Sequence, residues 1–211
     1  MNDNHKLPTS TDVLIVGAGP AGVTLAVSLK QLGCDCVVID QSPQAPEDTR
    51  AAFVQPRTLE YLSRIHVADP MIDDGLKGRG ASFANVDRDL FEVSYDTVDS
   101  PYPFLLMIPQ SQTQRHLDQR FEGLGGHVLR GVRLLTLQAE FPGTAATVVD
   151  SDGNPHVINA RFIAGCDGLH SRVRNQLGIG FPGTSPEQMF AVADLRMQGW
   201  RTDRVETAFV L

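Results

Sequence analysis

The stretch Thr11–Asp40, TDVLIVGAGPAGVTLAVSLKQLGCDCVVID, limits what this chain can fold into more than any other part of it. Val13–Val16 is an apolar run suited to a strand buried on both faces of a parallel sheet. Gly17, Gly19 and Gly22 follow in a G-x-G-x-x-G spacing. Leu25, Leu29 and Leu32 then recur at helical spacing, and Gly33 is placed to end that helix. Cys36–Ile39 is a second strand-like run with Asp40 at its carboxyl end. Strand, glycine turn, helix and strand in this order make a βαβ unit. The first glycine of such a unit permits a tight turn. The second lets a pyrophosphate approach the backbone, and the third lets the helix pack closely. The helix start presents free N–H groups and the positive end of its dipole, worth roughly 0.3–1 kcal/mol per nearby charge. An acid about 20 residues past the motif accepts hydrogen bonds from ribose hydroxyls. The stretch predicts a dinucleotide site, without separating FAD from NAD.

Composition narrows the partners. A chain of 211 residues suits one or two domains, and 42% hydrophobic with 20% charged residues permits an ordinary core. The net charge of −7, with acids and bases interspersed, argues against a nucleic-acid partner, which would need a basic face. No run approaches the ~18–20 apolar residues of a membrane span. The polar start, MNDNHKLPTST, lacks the apolar region of a signal peptide. Cys34, Cys36 and Cys166 are odd in number and form no C-x-x-C pair, so neither a disulfide framework nor a zinc site is expected. His170 fits no metal-ligand spacing. Together these features favour a reducing cytoplasm.

Beyond Asp40 the pattern alternates. A polar loop, Gln41–Thr49, leads to Arg50 and to a helix opening at Pro56 with Leu59, Leu62 and Ile65 on its apolar face. Asp69–Gly80 reads as glycine-rich and irregular. Ala81–Val98 shows strand alternation with a turn near Asp87–Asp89. Phe104–Ile108 is a short strand, and Ser111 is placed to cap a helix carrying Leu117 and Phe121. His127–Ile163 reads as a β-meander whose Asp150–Gly153 turn carries an Asp-Gly hairpin signal. Phe162–Cys166 is a short buried strand, closed by Asp167-Gly168, and a helix then runs through Leu177. Met189–Met197 and Val205–Leu211 read as further strands. The sequence stops inside this apolar run.

Three motifs in order give the chain a family resemblance. The first is Gly17-Ala-Gly-Pro-Ala-Gly22 with Asp40. The second is Arg50 ahead of the Pro56-Arg-Thr-Leu-Glu60 helix, joined later by Pro109-Gln110. The third is Cys166-Asp-Gly-Leu-His-Ser-Arg-Val-Arg174. The chain resembles the FAD-dependent aromatic-ring monooxygenases of the para-hydroxybenzoate hydroxylase fold, most closely their phenol-hydroxylase and polyketide-hydroxylase branch. The resemblance implies an α/β fold: a Rossmann-like FAD-binding domain with a parallel sheet and a β-meander crossover, plus part of a mixed β-sheet substrate domain. It divides the chain into FAD-binding segments at 1–80 and 105–182 and substrate-domain segments at 81–104 and 183–211.

By resemblance, Gly17, Gly19 and Gly22, with Pro20 and Ala21 between them, hold the FAD pyrophosphate. Asp40 binds the adenosine ribose, where the family more often has glutamate. Arg50 and Gln110 contact the pyrophosphate and ribityl region, and Asp167-Gly168 belongs to a motif tied to both FAD and NAD(P)H. Arg172 and Arg174 serve either a nicotinamide phosphate or the helix surface. Phe83, Phe91, Tyr95 and Phe104 are either core aromatics or lining of a substrate pocket. His66 stands where the family usually has glycine.

The implied reaction is hydroxylation of a phenolic or aromatic substrate by O₂. NADH or NADPH reduces the flavin, which carries the oxygen as a C4a-hydroperoxide, with no catalytic side chain and no metal required. Nothing after Gly178 matches the family's second FAD motif, so the chain reads as an N-terminal portion. Two alternatives stay open: a truncated, non-catalytic FAD- or nucleotide-binding fragment, and a same-fold halogenase or epoxidase.

Overall fold

A computed structural model describes residues 7–45, 53–84, 88–184 and 205–206. In chain order the elements are β1 (Ser10–Val16), α1 (Pro20–Gln31), β2 (Cys36–Asp40), β3 (Phe53–Val54), α2 (Pro56–Arg64), α3 (Ala68–Asp74), β4 (Leu76–Gly78), β5 (Gly80–Ala84) and β6 (Asp89–Ser94). There follow β7 (Leu105–Met107), α4 (Gln110–Gly123), β8 (Val128–Arg130), β9 (Arg133–Glu140), β10 (Gly143–Val149), β11 (Pro155–Gly165), α5 (Arg172–Gln176) and β12 (Val205–Glu206). The main sheet has the order β8-β2-β1-β11-β10-β9. Its β8, β2, β1 and β11 run parallel, while β9 and β10 are antiparallel. Two three-stranded sheets, β12-β5-β6 and β3-β7-β4, accompany it.

The expected α/β architecture is present, and alternation explains why β1 lies at the centre of the main sheet. Val13 and Ile15 face a core made with α1 to α4, through Val23, Val27, Leu59, Leu62, Met71, Leu117 and Phe121. Leu14 and Val16 face a second core made with Ile39, Val132, Leu134, Ala146, Val148, Ile158 and Val173. Leu14 and Ile15 are both fully buried, so the strand is covered on both faces. Fully burying such a side chain is worth about 1.5–3 kcal/mol.

Four of the helices, α1, α2, α4 and α5, share one way of stopping, whereas α3 ends at an extended Gly75. After α1, the Gly33 N–H bonds Lys30 O and the Cys34 N–H bonds Leu29 O. The same paired pattern closes α4 at Gly125 and Gly126, and α5 at Gly178 and Ile179. It closes α2 at His66 and Val67. These are Schellman ends, which place the second residue past the helix (Gly33, His66, Gly125 or Gly178) in the left-handed region.

Several expectations are corrected. Asp69–Gly80 is not irregular: it holds most of α3 and all of β4. Burial of Ala68 and Met71 fixes that helix, which is too short for periodicity to reveal. Ser111 does not cap α4. The helix starts two residues earlier than that cap implies, at Gln110 after Pro109, because the Gln112 and Thr113 N–H groups both reach Pro109 O. His127–Glu140 is two strands, broken at Gly131 (φ 71°). β8 pairs with β2 in parallel, so the meander proper is β9–β11. The last strand of the expected His127–Ile163 meander and the expected Phe162–Cys166 strand are one segment, residues 155–166. It forms the single strand β11 and the residue after it, pairing with β10 on one side and β1 on the other. The Asp150–Gly153 hairpin forms as expected, with Asp150 accepting the Asp152 and Asn154 N–H groups. Arg50, residues 85–87 of the Ala81–Val98 turn, Met189–Met197 and most of Val205–Leu211 lie outside the described residues.

Candidate dinucleotide-binding site

The carboxyl ends of the parallel strands β1, β2 and β11 meet at one cleft of about 550 Å³. Val16, Gly17 and Gly19 line it from the first strand, and Ile39, Asp40, Gln41 and Ser42 from the second. Cys166, Asp167, Gly168, Leu169, His170 and Arg172 line it from the third, and Val132, Arg133 and Leu134 close it at the start of β9. Ligands of open α/β sheets lie in this kind of crevice, beyond the carboxyl ends of the strands.

The early turn and the later Asp-Gly corner are neighbours. A Cβ on Gly17, whose φ is 104°, would lie 2.3 Å from Cys166 O and 2.8 Å from Asp167 Cα. A Cβ on Gly22 would lie 2.0 Å from Gly17 O, so the third glycine lets α1 close on the loop itself. Gly19 is the opposite case. A Cβ there meets nothing within 4 Å, and its own backbone is extended (φ −71°, ψ 178°). Its glycine identity therefore answers no demand of the folded chain, and the open space fits a ligand approaching the backbone. With Pro20 at its start, α1 offers N–H groups that have no partner inside the helix.

Asp40 is half-buried and already engaged. Its Oδ2 accepts the Ala18 N–H at 2.7 Å and its Oδ1 accepts the Ser42 N–H at 2.8 Å. Each carboxylate oxygen retains a lone pair for a ribose hydroxyl. Asp167 is also engaged: Oδ2 accepts the Arg172 N–H at 2.6 Å and the Val173 N–H at 3.2 Å, and Oδ1 accepts the Ser171 hydroxyl at 2.5 Å. Ser171 Oγ in turn accepts the Arg174 N–H at 3.0 Å. The N–H groups that open α5 are thus satisfied within the chain, whereas the start of α1 has no side-chain cap. Arg174 donates to Leu169 O at 2.9 Å and stacks on Phe181 at 4.5 Å, which favours the helix-surface reading for it. Arg172 remains at the cleft.

Gln110 is the first residue of α4 and half-buried, outside the lining of the cleft. Phe104 packs against the helical core, edge-on to Tyr102 with Lys77 over its ring, so it is a core aromatic. Tyr95 donates its hydroxyl to Gln55 Oε1 at 3.1 Å, and Phe91 is exposed. The side chain of Phe83 lies outside the description. Burial raises the pKa of Cys166, with the charge of Asp167 adding to it, so the thiol beside the cleft stays protonated at neutral pH. Among the described residues no group of His, Cys, Asp and Glu could hold a metal ion, and no helix is long and apolar enough to cross a membrane.

Residue-by-residue reading missed two parts of the site. One is the wall at Val132–Leu134, which only sheet pairing brings to Asp40: the Val132 N–H bonds Asp40 O at 2.9 Å. The other is Gln114, buried beneath the glycine loop with its Nε2 donating to Ala18 O at 3.0 Å. Its signal was present in the sequence: a glutamine sharing an apolar helix stripe with Leu117 and Phe121.

A glycine-turned βαβ unit whose phosphate loop abuts a second strand-end corner defines a dinucleotide-binding α/β domain. A family model for FAD binding domains matches residues 10–211, and the chain belongs to that family. It is similar to 12-dehydrotetracycline 5-monooxygenase/anhydrotetracycline 6-monooxygenase of Streptomyces rimosus, 33% identical over 187 residues, 89% of this chain and 36% of that one. It is also similar to pentachlorophenol 4-monooxygenase of Sphingobium chlorophenolicum, 31% identical over 179 residues, 83% of this chain and 33% of the relative. Among solved structures, the anhydrotetracycline hydroxylase OxyS of Streptomyces rimosus superposes with a TM-score of 0.76 at 32% identity, over 84% of this chain and 36% of that one. The chain spans about a third of the length of these relatives.

Proposed function

We propose that this chain is the nucleotide-binding portion of an FAD-dependent monooxygenase that hydroxylates a small aromatic or polyketide compound with O₂. NADH or NADPH serves as its reductant. The observation that carries this reading is the convergence of the Gly17–Gly22 loop, Asp40 and the Asp167-Gly168 corner on one cleft. Gly17, Gly19, Pro20, Ala21 and Gly22 would hold the pyrophosphate, Asp40 the adenosine ribose, and Gln110 and Arg50 the pyrophosphate and ribityl region. Asp167 and Gly168 would close the cleft over them. When bound, FAD supplies the redox and oxygen-transfer chemistry that amino-acid side chains lack. The chain's own contribution is to bind and orient it: backbone N–H groups face the phosphates, and a carboxylate faces the ribose.

The segments 81–104 and 183–211 are read as the beginning of the substrate-facing layer. The relatives' names and the free cysteines support an aromatic substrate and a reducing, cytoplasmic setting respectively.

Gly19→Val tests the cofactor assignment. Because a Cβ there enters open space, the apoprotein should keep its circular dichroism and melt within a few degrees of wild type. The bulk should cut FAD affinity by two orders of magnitude or more in a fluorescence titration. Unchanged FAD affinity would refute the assignment. In the full-length protein, phenol-stimulated NADH or NADPH oxidation with a hydroxylated product tests the reaction. A product that requires chloride or bromide would reassign it to halogenation.

A further inference from the structure

We propose that Gln114 is a positioning residue for the cofactor, aiming a backbone donor of the glycine loop without touching FAD. This rests on the FAD reading of the cleft. Gln114 lies on α4, is 3% exposed, and sends its Nε2 to two acceptors: Ala18 O at 3.0 Å and Asp118 Oδ1 at 2.8 Å. With a carbonyl and a carboxylate flanking the same atom, only the nitrogen end of the amide can stand there, so the orientation is chemically forced. Asp118 is itself held on its other oxygen by Arg130 Nη2 at 3.3 Å. A partly buried network therefore runs from the edge strand β8, through one turn of α4, to the phosphate loop.

Its effect on the loop follows from peptide geometry. The Ala18 N–H is fixed by Asp40 Oδ2 and the Ala18 C=O by Gln114 Nε2, so the residue is clamped from β2 on one side and α4 on the other. The Ala18 carbonyl and the Gly19 N–H belong to one planar trans peptide and point in opposite directions. Drawing the carbonyl toward α4 turns the Gly19 N–H away from α4. Gly19 lines the cleft, and this N–H is the donor that a pyrophosphate passing the second glycine would meet. Without Gln114 the Ala18 carbonyl would be buried and unpaired, and the peptide would be free to rotate toward another donor.

The test uses apoprotein of the full-length enzyme titrated with FAD, followed by flavin fluorescence. Gln114→Leu, near in size but without a donor, should remain folded and bind FAD about tenfold or more weakly, the loss expected for one misdirected donor. Gln114→Glu supplies the readout that a merely structural role would not move. A protonated Glu can donate to Ala18 O, whereas the carboxylate faces both that carbonyl and Asp118. Its FAD affinity should fall steeply between pH 6 and pH 9, over a range where wild-type affinity is flat. Gln114→Leu binding within twofold of wild type would overturn the proposal. So would a pH-independent Gln114→Glu, which decides the matter if the leucine variant fails to fold. A wild-type protein that binds no FAD would instead refute the cofactor reading itself.

Discussion

Among the described residues, His66 is the only non-glycine with a positive φ, at 60°. It sits at the Schellman end of α2, where the Val67 N–H must reach Leu62 O and bury Val67 against the core. The corresponding ends of α1, α4 and α5 use Gly33, Gly125 and Gly178. A side chain in the left-handed region costs about 1–2 kcal/mol, part of which glycine returns as lost chain entropy. His66 is exposed, so its ring offers little packing in compensation. His66→Gly should therefore stabilise the fold by roughly 0.5–1 kcal/mol and raise the melting temperature by about 1–4 °C. A calorimetric melt at or below the wild-type temperature would contradict this. The resemblance had already marked His66 as an unusual residue for the turn; its backbone angle supplies the physical reason.

At the scale of elements, the short helix α5 has two jobs. Its start is tied to the cleft by Asp167, and its end is tied to the sheet by Gln176. The Gln176 Oε1 accepts the Leu137 N–H at 2.7 Å, while its Nε2 donates to Leu135 O. Those two backbone groups lie on the outer edge of β9, which among the described residues pairs only with β10. One glutamine amide thus occupies the edge as a neighbouring strand would, and unpaired edges invite pairing with another chain. Gln176→Ala should leave β9 open and produce concentration-dependent self-association, seen as a rising weight-average mass in sedimentation. A variant whose mass stays constant and equal to that of wild type would show that the edge needs no such cover.

For the whole molecule, pH acts on stability through shifted carboxyl groups, of which the described residues include Asp150, Glu60 and Asp118. The hydrogen bond from His156, with those from Asn154 and Asp152, holds Asp150 down to about 2, and the Ser100 hydroxyl followed by Arg57 lowers Glu60. Burial raises Asp118. The folded chain binds fewer protons than the unfolded chain at Asp150 and Glu60. Their contribution is present above the ordinary carboxylate pKa and fades as pH falls from about 4 toward 2. Asp118 acts in the other direction, its contribution being present in acid and lost as pH rises through its raised pKa. The melting temperatures of wild type and Asp150→Ala should differ at pH 6 and converge as pH approaches 2. A gap of equal size at both pH values would contradict the assignment.

Much of this was legible in the residues because it is local. The βαβ unit is written in adjacent positions: the apolar run of β1, the glycine spacing, the leucine period of α1, and Asp40 at the end of β2. The Asp-Gly hairpin at Asp150–Gly153 is equally local. Tertiary structure alone decided the rest. It showed that β8 leaves the meander to pair with β2, that Met71 turns an apparently irregular stretch into helix, and that Arg174 is taken up by Leu169 and Phe181. It also showed that Gly17 needs to be glycine for the fold, since a backbone carbonyl from Cys166 fills the space beside it, whereas Gly19 does not. Which atoms stand beside a residue depends on strands far apart in sequence meeting in one sheet, and no local pattern records that meeting. The sequence determined that the chain would build a nucleotide-binding loop; packing against α4 and β11 determined which way that loop faces.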